Sequence, residues 1–215
     1  MKTVNESIFR HTLVFLKAGA LPLHCDCQEN PLFLKWVEHK WPFVCTRQPQ
    51  DQEPELLQLG LPYFDPVQKN KQRYAYCISK KDIQKISPLP LLREVFPTQL
   101  LRGCTAHVYG SYCWEYVTKH PYVTDGSDLD LLIHYENQSL ESLLALVEHI
   151  EKSINMRNID GEIRFKELGD CSLQELFQTW SKAVLFKTID RVFLVDRAFI
   201  YEKYPTLLRC SAKDS

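Results

Sequence analysis

The stretch that most constrains the fold runs from Val108 to Ile133, VYGSYCWEYVTKHPYVTDGSDLDLLI. It opens on a β-branched and aromatic pair, turns at Gly110-Ser111, continues in a short helical pattern and closes on Asp128-Leu129-Asp130-Leu131. Side chains alternate along a strand, so Asp128 and Asp130 fall on one face while Leu129 and Leu131 enter the core. Two ionised carboxylates side by side repel unless a cation lies between them. Hard oxygen donors of this kind suit Mg²⁺, which also accepts phosphate oxygens and water. A lone Asp-x-Asp is more often a solvated strand edge. The Gly-Ser pair shifts that balance: Gly110 lets backbone approach a ligand, and Ser111 opens a helix whose free N–H groups attract phosphate.

Strand, Gly-Ser, helix and then Asp-x-Asp on the next strand resembles the nucleotidyltransferase fold. The resemblance implies an α+β chain, with a C-terminal mixed sheet and flanking helices over residues 105–215. A smaller α+β N-terminal lobe precedes it over 1–87, with a proline-rich connection at 88–104. The interval from Ser111 to Asp128 is a little long for that superfamily, and Lys119 to Gly126 reads as an extended loop.

The 215 residues are 45% apolar, enough to bury a substantial core. With 26 basic and 27 acidic residues, total charge points neither to nucleic acid nor to an anionic membrane. The eight cysteines include no CxxC and read as small buried hydrophobes of a reducing cytosol. His24 to Cys27, HCDC, lacks a second ligand pair at zinc-finger spacing. LVFLKAGA is too short, and too interrupted by Lys17, for a secretion signal, and no apolar run is long enough to span a bilayer. The expectation is a soluble, cytoplasmic protein.

In the first lobe Asn30-Pro31 predicts a helix to about His39, with Phe33, Leu34, Trp36 and Val37 as its buried stripe. A strand follows over Phe43 to Arg47, then a polar loop over Gln48 to Pro54. Leu56 to Tyr63 reads as a strand and turn about Gly60. Lys71 to Ser79 alternates, with Tyr74, Tyr76 and Ile78 on one face and Lys71, Arg73, Ala75 and Cys77 on the other. A short helical stretch leads into the proline-rich Ser87 to Leu92. Arg47, Lys69, Lys71 and Arg73 have two readings, a solvated face or a phosphate-binding wall for a polyanionic substrate.

In the second, Ser139 caps a helix on which Leu140, Leu143, Leu144, Val147, Ile150 and Ile154 repeat at core spacing. Ile159 to Phe165 alternates so that Asp160, Glu162 and Arg164 share a face. Either Asp160 or Glu162 can supply the third carboxylate that a two-metal phosphoryl-transfer site wants. Glu162 is slightly favoured, because it sits inside the apolar run as Gly-Glu-Ile, whereas Asp160 precedes a glycine and reads as part of a turn. Ser172 to Glu175 is a capping box for a helix from Leu173 to about Ser181. A hairpin, AVLFKT then RVFLVD, turns at Ile189-Asp190. Lys187, a cation in a mostly apolar strand, needs an anion, either a protein carboxylate or a substrate phosphate.

Across WPFVCTRQ, LQLGLP, KQRYAYCI, PLPLL, the central stretch, IDGEIRF and VLFKTIDRVFLVDRAFI, the chain resembles one family. It is that of the malonate decarboxylase holo-acyl-carrier-protein synthases, or phosphoribosyl-dephospho-CoA transferases. The resemblance implies a bacterial enzyme that moves the phosphoribosyl-dephospho-CoA part of triphosphoribosyl-dephospho-CoA to a serine of the apo acyl-carrier subunit of malonate decarboxylase, releasing pyrophosphate. On that reading Asp128, Asp130 and Glu162 hold Mg²⁺, and Gly110 and Ser111 seat phosphate oxygens. Asp160 or Glu162 takes the serine proton, and Lys187, Arg47, Lys71 and Arg73 bind the substrate. Two alternatives stay open. One is the same chemistry on another acceptor, as in the citrate lyase prosthetic-group transferase or an antitoxin-like enzyme; the other is a non-catalytic interaction module.

Overall fold

A computed structural model describes residues 8–23, 31–65, 68, 70–156 and 158–209. The expected cap at Asn30, the HCDC run and Lys69 lie outside them. Helices and two separate sheets make an α+β fold, and the chain divides into two compact units. The first comprises residues 1–89, 114–122 and 189–191; the second comprises 90–113, 123–188 and 192–215.

The first unit is built on five antiparallel strands: β1 (Leu13–Leu16), β2 (Phe43–Cys45), β3 (Leu56–Asp65), β4 (Asn70–Ser79) and β5 (Ile83–Ser87), in the order β4-β3-β2-β1-β5. Helix α1 (Pro31–Glu38) lies against them. Phe33 contacts the rings of Phe43 and Tyr76 at 5.1 and 4.9 Å, and Leu59, Leu61 and Ile78 are fully buried. The alternation of Lys71 to Ser79 is thus a real strand, but its first half is exposed, Tyr74 included. Leu34 also faces solvent, since Phe33, Trp36 and Val37 already fill the contact face of a two-turn helix. Gly60 does not turn the chain. It sits mid-strand opposite Val44, whose side chain would lie 3.1 Å from any Cβ there. The helical stretch expected before the prolines is a single 3-10 turn, Lys80–Asp82, and Ile83–Ser87 pairs with β1 as strand.

The second unit carries a six-stranded sheet with flanking helices. In chain order its elements are α2 (Leu92–Val95), β6 (His107–Tyr109), α3 (Gly110–Thr118), β7 (Leu129–His134), α4 (Leu140–Ile154), β8 (Ile159–Phe165), β9 (Gly169–Ser172), α5 (Leu173–Phe177), β10 (Ala183–Lys187), β11 (Val192–Asp196) and α6 (Arg197–Lys203). From Trp114 onward, the residues of α3 group with the first unit. The sheet order is β11-β10-β9-β8-β7-β6, and only β7 and β8 run parallel, joined by α4 as the crossover. Ser139 caps α4 as expected, accepting from the Ser142 N–H, and Asn155 ends it in the left-handed region. Leu143 and Ile150 are buried, whereas Leu144 is 45% exposed, on the flank of a helix that touches its sheet along a narrower stripe than the leucine spacing implied.

Helix α5 stops at Phe177, four residues short of the expected Ser181. The cause is Arg197, a buried guanidinium that donates to the carbonyls of Glu175, Leu176, Gln178 and Ser181 at 2.8–3.0 Å. Those acceptors are turned toward a fixed cation and satisfied there, so the helix ends. Ser172 does accept from the Glu175 N–H, but the Glu175 carboxylate reaches the Leu185 N–H at 2.8 Å, tying α5 to β10 instead of closing the capping box.

Cys45, Cys104, Cys113 and Cys171 are buried free thiols and Cys77 is half-buried. Burial pushes Cys45 and Cys113 up to about 12. At pH 8 their thiolate fraction is then about one in ten thousand. Peptide mapping after iodoacetamide treatment should find both unmodified in native protein and modified in denaturant. Alkylation of native Cys113 would show that its site opens.

Candidate active site

The parallel pairing of β7 and β8 builds the site. Tyr109 of β6 stands opposite Asp130 of β7, and Asp130 stands opposite Asp160 of β8, so the three share one row and one face of the sheet. Strand spacing puts the two aspartates about 4.8 Å apart at Cα. Asp160 is a strand residue rather than a turn residue, which removes one of the two grounds for favouring Glu162 over it. Its Oδ1 accepts from the Gly161 N–H at 2.7 Å. Asp128 lies one residue before β7 and is exposed; Asp130 and Asp160 are half-buried. Leu129 and Leu131 are fully buried on the opposite face, as the alternation requires.

Gly110 closes the site on one side. It starts α3 with φ +65°, and a Cβ there would lie 1.8 Å from Asp130 Oδ2. Only glycine lets the strand end, the helix start and the carboxylate occupy this space. Ser111 follows in the first turn of α3, half-buried. The arrangement therefore puts helix N–H groups beside acidic oxygens: donors for an anion next to a seat for a cation.

Glu162 sits two residues past Asp160, about 7 Å along the strand. It is buried, and Lys187 Nζ lies 2.9 Å from its Oε1. Arg164 and Asp170 form a two-pronged pair beside it, at 2.6 and 2.8 Å. Lys187 therefore has its protein anion. Removing one partner of such a pair leaves a buried charge uncompensated. Lys187→Ala should lower stability by about 2 kcal/mol in urea unfolding, discounted because the lysine is partly exposed. Glu162→Gln in the same chain should restore part of it. No restoration would mean that the lysine acts through packing alone. Further along the face is His134, whose pKa is lowered by burial and by nearby Arg164 and His107. It is neutral at physiological pH.

The basic residues of the first unit are not one cluster. Lys71 and Arg73 are exposed on β4, opposite Phe64 and Pro62. Arg47 follows β2 beside Gln48, whose side chain clasps the Gln58 backbone at 2.7 and 2.9 Å. That is four rows down β3 from Pro62, about 13 Å at strand spacing.

The fold and site together define an α+β protein with an acidic row set against a glycine-opened helix. Residues 79–198 match the family model described as phosphoribosyl-dephospho-CoA transferase MdcG C-terminal domain, and residues 9–88 match its N-terminal domain. The chain belongs to the phosphoribosyl-dephospho-CoA transferase family. A relative of that name from Bradyrhizobium diazoefficiens is 29% identical over 208 residues, covering 87% of this chain and 90% of the relative. Another, from Xanthomonas campestris pv. campestris, is 27% identical over 218 residues, 94% of this chain and 99% of its own. No solved structure matches the chain. Among the described residues no helix is long and apolar enough to cross a membrane.

Proposed function

We propose that this chain transfers phosphoribosyl-dephospho-CoA from triphosphoribosyl-dephospho-CoA to a serine hydroxyl of the apo acyl-carrier subunit of malonate decarboxylase, releasing pyrophosphate. One observation carries the chemistry: Asp130 and Asp160 stand in one row against Gly110, where any side chain would strike the Asp130 carboxylate. Family membership supplies the substrate class.

Carboxylates are the donors a hard divalent cation takes, and Asp130 and Asp160 stand side by side in one row with Asp128 just before β7; their oxygens are not gathered round one point, so a cation would have to draw them together. Mg²⁺ held there would supply charge stabilisation for the triphosphate and the departing pyrophosphate. The chain's own groups do the rest. The N–H groups that open α3, with Ser111, hold phosphate oxygens. Asp160 accepts the proton of the incoming serine as its oxygen bonds to the α-phosphorus. The bond from that phosphorus to the bridging oxygen breaks, and pyrophosphate leaves with the electron pair. Glu162, held by Lys187, sets the charge behind the row.

Intact-mass measurement tests this. Apo carrier incubated with the chain, Mg²⁺ and triphosphoribosyl-dephospho-CoA should gain the mass of one phosphoribosyl-dephospho-CoA group on serine, with one pyrophosphate released. Modification of a citrate lyase carrier alone would overturn the acceptor, and modification of neither carrier would overturn the reaction.

A further inference from the structure

The first unit contains a cavity of about 310 Å³ walled by Trp36, Trp41, Tyr63 and Tyr122, with Lys35 and His120 also lining it. Its size falls at the lower end of small-molecule sites. Trp36 and Tyr122 are buried and form the floor, while Lys35 and His120 are exposed and mark the mouth. The polar atoms of the floor are already engaged. Trp36 Nε1 donates to the Pro42 carbonyl at 2.9 Å, and the Tyr122 hydroxyl donates to the Pro62 carbonyl at 3.1 Å. The floor therefore presents ring surface. The walls meet at steep angles, 69° between Trp36 and Trp41 and 87° between Trp41 and His120, which makes a box of aromatic faces and edges. His39 packs against Trp41 as well, with ring centroids 4.4 Å apart.

A braced aromatic box with a lysine at its mouth suits a flat heteroaromatic ring that carries negative charge at one end. Bases stack on aromatic side chains through their π-faces without sequence-like readout, and a lysine binds phosphate as a point charge. We infer that this cavity binds an adenine nucleotide, the ring against Trp41 and its neighbours and the phosphates toward Lys35. The identity of that nucleotide, the adenosine diphosphate end of the dephospho-CoA substrate, rests on the transferase reading above; the cavity itself does not. Lys71 and Arg73, expected at this task from the sequence, are not among its lining residues.

Titration calorimetry with the full chain, in EDTA, tests the inference using ADP, 3′-dephospho-CoA and pantetheine as probes. ADP and dephospho-CoA should bind and pantetheine should not. Trp41→Leu should weaken ADP by about 10-fold or more, the scale of one base-stacking contact. Lys35→Glu, an exposed change that leaves the core untouched, should weaken it by a similar factor and carries the test if Trp41→Leu unfolds by circular dichroism. Pantetheine binding in preference to ADP, or an ADP affinity indifferent to Lys35→Glu, would overturn the assignment even with carrier modification intact. Loss of carrier modification with pocket-dependent ADP binding retained would instead overturn the transferase reading and leave the cavity as a nucleotide site.

Discussion

Asp130→Asn should lower carrier modification by about 1,000-fold while the chain stays folded. The magnitude is that of removing a preorganised charge from where charge develops in the transition state, and no other group takes its place in the row. Asp130 is half-buried between Tyr109 and Asp160, so the isosteric amide keeps its volume and its strand pairing. Asp160→Asn should match it within about ten-fold. Glu162→Gln should behave differently, because its charge is balanced by Lys187: turnover falls less and unfolding occurs at lower urea. Single-turnover mass measurement with circular dichroism on each variant separates these outcomes. A folded Asp130→Asn chain with near-normal turnover would remove the acidic row from the reaction, and Glu162→Gln as damaging as Asp130→Asn would return Glu162 to the metal.

Much of this site was legible before the fold. Alternation put Asp130 opposite Leu129 and Leu131, and the Gly-Ser pair announced a helix start, because both are local consequences of strand and helix geometry. The choice between Asp160 and Glu162 was not local. It depends on which residue of β8 falls level with Asp130, a register set by a parallel pairing across the α4 crossover. The end of α5 was hidden for the same reason, since Arg197, which takes its carbonyls, lies twenty residues further on. Strands β1 and β5 are four and five residues long and pair with each other, so neither carries enough period to announce itself alone. The aromatic cavity draws on residues 31–41, 63–64 and 120–122, which the sequence distributes over a helix, a strand and a loop with nothing local to join them. Arg47 was grouped with Lys71 and Arg73 by charge, which says nothing of the distance along a ladder.

Gly110→Ala is the second large effect, and it tests the geometry rather than the charge. At φ +65° an alanine costs about 1–2 kcal/mol, and its Cβ would lie 1.8 Å from Asp130 Oδ2, so either the carboxylate or the start of α3 must move. Stability should fall by about 2 kcal/mol, a drop of about 5 °C in Tm for a chain of this size. Carrier modification should fall about 100-fold or more, because a displacement of 1 Å at the reacting centre is enough for that. The two losses have different origins and can be parted. Adding Asp130→Ala to Gly110→Ala removes the colliding atoms, so the double variant should regain the part of the stability that came from the clash and keep only the backbone cost. Its activity should not return, since the carboxylate is gone. A Gly110→Ala chain that is stable and fully active would mean that α3 and β7 do not meet at this carboxylate, and the site would have to be rebuilt without it.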